Sequence, residues 1–143
     1  REHLAVALPE KHSLAAHQEV SLSQLSQEQF IMFARKISPL SYDILTGMCR
    51  KQGFFPKVIH EVRSVASQIA FVGCGQGIAL VPHSITRFSY PNVVILPLAE
   101  HLEFITTAMA WRSDRDNHLL ESLLESLDLD HKQAVDPETP LFN

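Results

Sequence analysis

Short runs of consecutive hydrophobic residues, rather than alternating ones, recur along the sequence. The clearest are Leu4–Leu8, which Pro9 ends, Phe30–Phe33, and Ile78–Val81, which Pro82 ends. A strand that is apolar at every position is buried on both faces of its sheet, because neighbouring side chains point to opposite faces. These runs therefore predict strands in a core that is covered on both sides. Three further strands are predicted, over Lys57–Val62, Val93–Leu98 and Phe104–Trp111.

Between these strands the hydrophobic residues change to helical spacing. Ser38 followed by Pro39 is typical of a helix start and predicts a helix over Pro39–Gln52. Ser64 is predicted to cap a second helix, which begins at Val65. Two more helices are expected, over Ser23–Glu28 and, after a sequence that resembles a capping box at Ser113–Asp116, over Leu119–Leu127.

The predicted order from Phe30 to Val81 is strand, helix, strand, helix, strand. This order is typical of a parallel sheet with right-handed crossover connections, so the sequence favours the α/β class. In such sheets ligands bind beyond the carboxyl ends of the strands, where the free N–H groups of helix starts attract anions. The loops at Phe33–Ser41 and Arg63–Val65 are therefore the predicted ligand-binding region.

The candidate binding residues in the first loop are Ser38, Pro39, Leu40 and Ser41. Together they would bring two hydroxyl groups, the amides of a helix start and an apolar surface to one place. An alternative of equal standing is that Ser38 and Ser41 only cap the helix, because serine commonly caps helices at such positions.

Composition narrows the class of protein. The chain has 143 residues, of which 45% are hydrophobic and 20% charged, as is ordinary for one globular domain. The net charge is −4 and the 12 lysine and arginine residues are scattered, so this chain alone is not expected to bind DNA.

No apolar run reaches the roughly 18 residues of a membrane span, and neither a signal-peptide core nor an initiator Met precedes Leu4. We expect a soluble, cytoplasmic piece of a longer protein with no membrane partner, and two widely separated cysteines agree with a reducing compartment.

Residue types that commonly catalyse reactions or bind metals are not arranged for either task. The eight histidines show no metal-ligand spacing and are expected to be surface or capping residues. No serine lies in a Gly-x-Ser-x-Gly sequence, and neither cysteine has a histidine at a catalytic spacing. The glycines of Gly73–Gly77 follow a helix and precede a strand, the reverse of a dinucleotide-binding order, and are interpreted as a helix stop and a turn. We therefore expect no catalytic residue, metal or cofactor; a redox role of Cys74 is the minor alternative to a small buried hydrophobe.

Four sequence segments in a fixed order carry a family resemblance. They are LAVALPEKHSLA, GFFPKVIHEV, FVGCGQGIALVP and an AWR at the end of a strand. The first resembles a family pattern usually written ALPxxHPLA, with Ser13 where proline is common. Over roughly residues 1–127 the chain resembles the C-terminal part of the effector-binding domain of LysR-type transcriptional regulators.

This resemblance implies an α/β, type 2 periplasmic-binding-protein-like fold, in which two subdomains enclose the effector. The second subdomain would be complete over about residues 1–106. Residues 107–127 would supply a return strand and a helix to a first subdomain that is only partly present, and residues 128–143 would form a polar C-terminal tail.

The resemblance is particularly to regulators of aromatic-compound catabolism. Their pocket positions, carried over onto this sequence, add Val65 to Ser38, Pro39, Leu40 and Ser41 as effector-binding residues, with Leu40 standing where a polar residue can occur. The implied effector is a small organic molecule of the carboxylate class. The implied partners are DNA, through an N-terminal helix-turn-helix outside this sequence, further copies of the chain as a dimer or tetramer, and RNA polymerase.

Proteins of other functional classes are compatible with the same sequence observations. A transport solute-binding protein or an enzyme lobe can have the same two-domain fold, because a fold alone does not determine function. The residues before Arg1 would discriminate between these classes. A helix-turn-helix there would indicate a regulator, and a signal peptide would indicate a solute-binding protein. A structural interaction module would bind no small molecule, which a thermal-shift screen against organic acids would reveal.

Overall fold

The central strand of the fold is built from the first apolar run. The protein is described by a computed structural model that covers residues 2–105 and 118–126. Strand β1, Glu2–Pro9, is buried from Leu4 to Leu8, as its unbroken hydrophobic sequence predicts. It pairs antiparallel with β4 (Ala79–Pro82) on one side and with β5 (Val93–Pro97) on the other. Its first residues also pair with β6 (Glu103–Ile105).

Two other strands form a parallel pair. They are β2 (Gln29–Phe33) and β3 (Lys57–Val62). A parallel bridge between Phe30 and Ile78 joins this pair to the residue that precedes β4. The predicted parallel arrangement over Phe30–Val81 is confirmed at these pairings. The whole arrangement is nevertheless mixed, because β1 runs antiparallel to its neighbours.

The helices begin close to their predicted starts. Helix α1 occupies Pro39–Lys51 and α2 occupies Val65–Gly73. The hydroxyl of Ser64 accepts a hydrogen bond from the N–H of Ser67 at 3.1 Å, which confirms the predicted cap of α2. Helix α3, His118–Ser126, overlaps the predicted leucine-rich helix. The capping-box sequence at residues 113–116 lies outside the described residues.

Three one-turn 3-10 helices complete the elements that the structure describes, at Ser13–Ala16, Leu22–Leu25 and His83–Arg87. The second replaces the helix that the sequence predicts over Ser23–Glu28. Only Leu22 and Leu25 of this segment are buried, and two apolar residues anchor a single turn but not a longer helix. Of the predicted strand Phe104–Trp111, the part after Ile105 lies outside the described residues.

A hydrophobic cluster lies on each face of the sheet, because alternate residues of β1 point to opposite faces. The larger side chains of β1 lie in the cluster that α1 covers, and its alanines lie in the cluster that α2 covers. From these elements the first cluster contains Leu4, Val6, Leu8, Leu45 and Cys49. The second contains Ala5, Ala7, Ile69 and Val72. The core is thus covered on both sides, as predicted.

Contacts divide the chain into two compact units, Arg1–Thr107 and Ala108–Asn143. The six strands, α1 and α2 belong to the first unit. The second is described through α3, on which Leu119 and Leu123 are exposed. Among the helices of the described residues, none has the length and apolar content to cross a membrane.

Candidate ligand-binding edge of the sheet

The carboxyl ends of β2 and β3 lie side by side, because their parallel register pairs Phe33 with Val62. Just beyond them, the N–H of Ala34 donates to the carbonyl of Val62 over 2.9 Å. The loop into α1 and the turn into α2 therefore start at one edge of the sheet. We call this region, residues 34–41 and 63–65 with the first turns of α1 and α2, the carboxyl edge. All five candidate residues lie on it.

Ser38 and Ser41 bond to each other instead of capping α1. Ser38 occupies the position before the helix, but its hydroxyl makes no hydrogen bond to a helix amide. It donates to the hydroxyl of Ser41 over 2.7 Å. Capping by these side chains, the alternative prediction, is therefore wrong. Because the Ser41 oxygen accepts this bond, its own proton is available to donate to a ligand.

Two helix starts bring unpaired amides to the carboxyl edge. The first N–H groups of an α-helix have no partner within the helix. In α1, Pro39 has no N–H and that of Tyr42 donates to the Ser38 carbonyl over 3.0 Å, which leaves the amides of Leu40 and Ser41. The start of α2 adds the amide of Val65. The positive ends of two helix dipoles therefore lie at this edge and favour an anion there.

Apolar side chains accompany these amides. Leu40 is 53% exposed, and Pro39 beside it is also exposed. Ile37, which is not among the predicted binding residues, is 48% exposed and precedes the two serines. Val65 is half-buried against the cluster that α2 covers, so part of this side chain belongs to the core. The edge thus combines unpaired backbone N–H groups at the two helix starts with apolar side chains on the α1 side.

An ion pair that the sequence did not predict holds the loop. Arg35 donates from Nε and Nη2 to the two carboxylate oxygens of Asp43, each over 2.8 Å. These hydrogen bonds lower the pKa of the Asp43 carboxyl and raise the pKa of the Arg35 guanidinium. The two-point contact fastens the loop after β2 to α1. It also engages the Arg35 guanidinium, whereas the exposed cations Lys36 and Arg63 lie at the same edge together with the helix amides and hydroxyls.

Gln68 is a second residue that sequence reasoning missed. It is only 1% exposed, and its Nε2 donates to the carbonyl of Ile31 over 2.8 Å. The carbonyl belongs to β2, just after the bridge at which this strand meets Ile78. Helical spacing carries a signal for this contact, since position 68 falls on the same face of α2 as Val65 and Val72. A polar residue in an apolar stripe indicates a buried hydrogen bond.

The two thiols have different surroundings. Cys49 is buried in α1, and burial raises the pKa of its thiol to about 11. A thiol with this pKa stays protonated at neutral pH and packs as a small hydrophobe. Cys74 is exposed at the end of α2, so the prediction that it packs as a small buried hydrophobe is wrong.

Comparison with known proteins identifies the class. Residues 1–129 match the family described as LysR substrate binding domain. The HTH-type transcriptional regulator BudR of Raoultella terrigena is 31% identical over 124 residues, covering 87% of this chain and 43% of BudR. The Hca operon transcriptional activator HcaR of Escherichia coli strain K12 is 27% identical over 111 residues, covering 78% of this chain and 38% of HcaR. Among solved structures, the BenM effector binding domain with its effector benzoate is 28% identical with a TM-score of 0.63, covering 69% of this chain and 46% of that one.

The fold is therefore that of the LysR effector-binding domains, which is type 2 periplasmic-binding-protein-like. The chain belongs to the LysR substrate-binding domain family. The family assignment drawn from the four sequence segments is confirmed. This chain spans less than half the length of the curated relatives that it matches.

Proposed function

We propose that this chain is the effector-sensing domain of a transcriptional regulator and that its effector is a small organic carboxylate bound at the carboxyl edge. One observation carries the proposal: the register of β2 with β3 brings two helix starts to one edge in a domain of this family. The carboxylate would accept hydrogen bonds from the helix-start amides and the Ser41 hydroxyl. Ser38 would orient Ser41, while Pro39, Leu40 and Val65 would contact the apolar part of the effector.

The proposal extends to the protein that contains this domain. Residues up to about 106 would form the second subdomain, residues 107–127 would lead into the first, and residues 128–143 would be a polar tail. The effector would lie between the subdomains and change the conformation of a DNA-bound dimer or tetramer in the cytoplasm, with DNA held by a helix-turn-helix and RNA polymerase as a further partner. The relatives are named as transcriptional regulators, which supports a role in regulation and not in catalysis.

Isothermal titration of the intact regulator tests this assignment. The ligands are a panel of carboxylic acids that begins with benzoate, each paired with its uncharged amide. We expect at least one acid to bind and its amide to bind much more weakly. Ser41→Ala should lower the affinity for that acid about tenfold, because a hydrogen bond to a charged group is worth about 1.5–3 kcal/mol. The melting temperature should stay unchanged, because the Ser41 hydroxyl does not cap α1.

Ser23→Ala is the matched control. Ser23 is an exposed serine in the 3-10 helix before β2, and so lies toward the opposite edge of the sheet. The Ser23→Ala variant should keep both the affinity for the acid and the melting temperature at wild-type values. The assignment fails if acids and amides bind alike, or if Ser41→Ala lowers stability and leaves affinity unchanged.

A further inference from the structure

A small cavity lies where β1 begins and where β4 and β5 end. Its volume is about 190 Å³, and its walls are His3, Leu4, His83, Pro97, Leu98 and His101. A cavity of about 150 Å³ accommodates a benzene ring. The space therefore suits an organic molecule of roughly that size.

The floor of the cavity is apolar and its rim is polar. Leu4 and Leu98 are each 1% exposed, whereas all three histidines are exposed. The Nδ1 of His3 lies 3.2 Å from the carbonyl oxygen of His101. Because a carbonyl can only accept, Nδ1 carries the proton and donates it in this contact. The rings of His83 and His101 keep an N–H to offer to a ligand.

The turn that carries His101 is held in an uncommon conformation. His101 has a φ of 46°, in the left-handed region that glycine and asparagine adopt more readily. Its N–H donates to the carbonyl of Leu98 over 3.2 Å, and the N–H of Leu4 donates to the carbonyl of Leu102 over 3.0 Å. These bonds hold the backbone of His101 beside the cavity. Backbone strain that the surroundings enforce in this way is common at ligand sites.

The side chains that line the cavity suit an organic hydrogen-bond acceptor rather than a metal ion. None of the six lining residues is acidic. The carboxylates of Glu2 and Glu100 lie outside this lining and accept backbone N–H groups, from Ser84 over 2.7 Å and from Leu22 over 2.8 Å, while the Oε2 of Glu100 is buried without a hydrogen-bond partner. Within residues 2–105 and 118–126, no three histidine, cysteine or acidic side chains are close enough together to hold a metal ion. The three imidazoles therefore surround a space that needs a larger, hydrogen-bond-accepting guest.

We propose that this cavity is a second ligand site, one that binds a small organic carboxylate. The apolar part of the ligand contacts Leu4 and Leu98, and its carboxylate accepts hydrogen bonds from the imidazole N–H groups of His83 and His101. The site is separate from the helix starts of the carboxyl edge and does not depend on the function proposed for them.

Nuclear magnetic resonance of the histidine rings tests this site directly in the chain. Benzoate is the probe and benzamide its uncharged counterpart, both titrated at one pH. We expect the ring signals of His3, His83 and His101 to shift together and to saturate with benzoate but not with benzamide. The ring of His60, which contacts Phe71 on α2, should not shift.

Substitutions then separate binding from folding. His83→Gln and His101→Asn should each lower the affinity for benzoate about tenfold, because each removes a hydrogen bond to a charged group. Asparagine tolerates the left-handed backbone, so His101→Asn should keep the melting temperature of the wild type. His60→Gln is the matched control and should leave affinity unchanged. Ser41→Ala should also leave the shifts in place, which distinguishes this site from the carboxyl edge.

Three results would each overturn the proposal, namely equal shifts with benzamide, the absence of a saturable shift in folded wild-type protein, and equal weakening by His60→Gln. Loss of the shifts in Ser41→Ala would assign them to the carboxyl edge and so also contradict a second site.

Discussion

Ser38 and Ser64 occupy the same position before two neighbouring helices but use their hydroxyls differently. Ser64 has an extended backbone, with φ −148° and ψ 153°, and its oxygen accepts from the N–H of Ser67. Ser38 has a ψ of 77°, and its hydroxyl turns to Ser41. The backbone angle therefore decides whether a serine at a helix start caps it or remains in a polar cluster.

This difference predicts unequal effects on stability. Ser64→Ala should lower the free energy of unfolding by about 1 kcal/mol, the usual cost of losing a cap. Ser38→Ala should change it by less than about 0.5 kcal/mol, as is usual for substitutions away from such features. Urea unfolding of the two variants measures both values. Equal losses would show that Ser38 also caps its helix in solution.

At the scale of elements, the junction between β2 and Ile78 depends on a glycine. Gly77 has a φ of 148°, and a Cβ atom there would lie 2.6 Å from the carbonyl oxygen of Gln29. That oxygen accepts the N–H of Ile78 over 2.8 Å, so an added side chain would push apart the bond that joins the two parts of the sheet.

Gly77→Ala should therefore lower the free energy of unfolding by more than about 1 kcal/mol. Gly47→Ala is the matched comparison, because Gly47 lies inside α1 and its added Cβ would meet no atom within 4 Å. It should raise stability by about 0.5–1 kcal/mol, since alanine favours a helix interior. Chemical denaturation of both variants gives the answer, and a Gly77→Ala protein as stable as wild type would refute the argument.

The elements that the sequence predicted well are those with local signals. Leu4–Leu8 is a strand because every residue is apolar, and α1 starts at Pro39 because proline suits a first helical turn. The partners of β1 could not be predicted in this way, since an antiparallel pairing with β4 depends on residues more than seventy positions away. The order of elements along the chain predicted only the parallel pairings within Phe30–Val81.

The candidate site was predictable to the same extent. The sequence placed the helix start at Ser38–Ser41 at the end of β2, since that position follows from local patterns. The contacts of its side chains were not predictable. Helical spacing indicates that Gln68 is buried, but its partner, the Ile31 carbonyl, follows only from the tertiary fold. The same holds for the Arg35 and Asp43 pair and for the contact of His3 with His101, which no sequence pattern indicates.

For the whole molecule, charge predicts that this chain alone does not bind DNA. Its net charge is −4, and one of its cations, Arg35, is engaged by Asp43. Proteins that hold DNA neutralise phosphates with clustered cations, which makes their affinity fall steeply with salt. Fluorescence anisotropy with labelled DNA at low salt should therefore detect no sequence-specific, salt-sensitive complex. Detection of such a complex would show that the chain carries its own DNA-binding surface.

The central position of β1 has a consequence for how the protein is made. This strand is translated before the other described strands, and β4 and β5, which flank it, follow about seventy to ninety residues later. At typical synthesis rates of about 5–20 residues per second, its apolar segment waits on the order of ten seconds for its neighbours. During that interval Leu4–Leu8 is an uncovered hydrophobic strand, the kind of segment that aggregates or recruits chaperones. Slower translation of the stretch before Ala79 would lengthen this exposure and lower the yield of soluble protein without altering a single native contact.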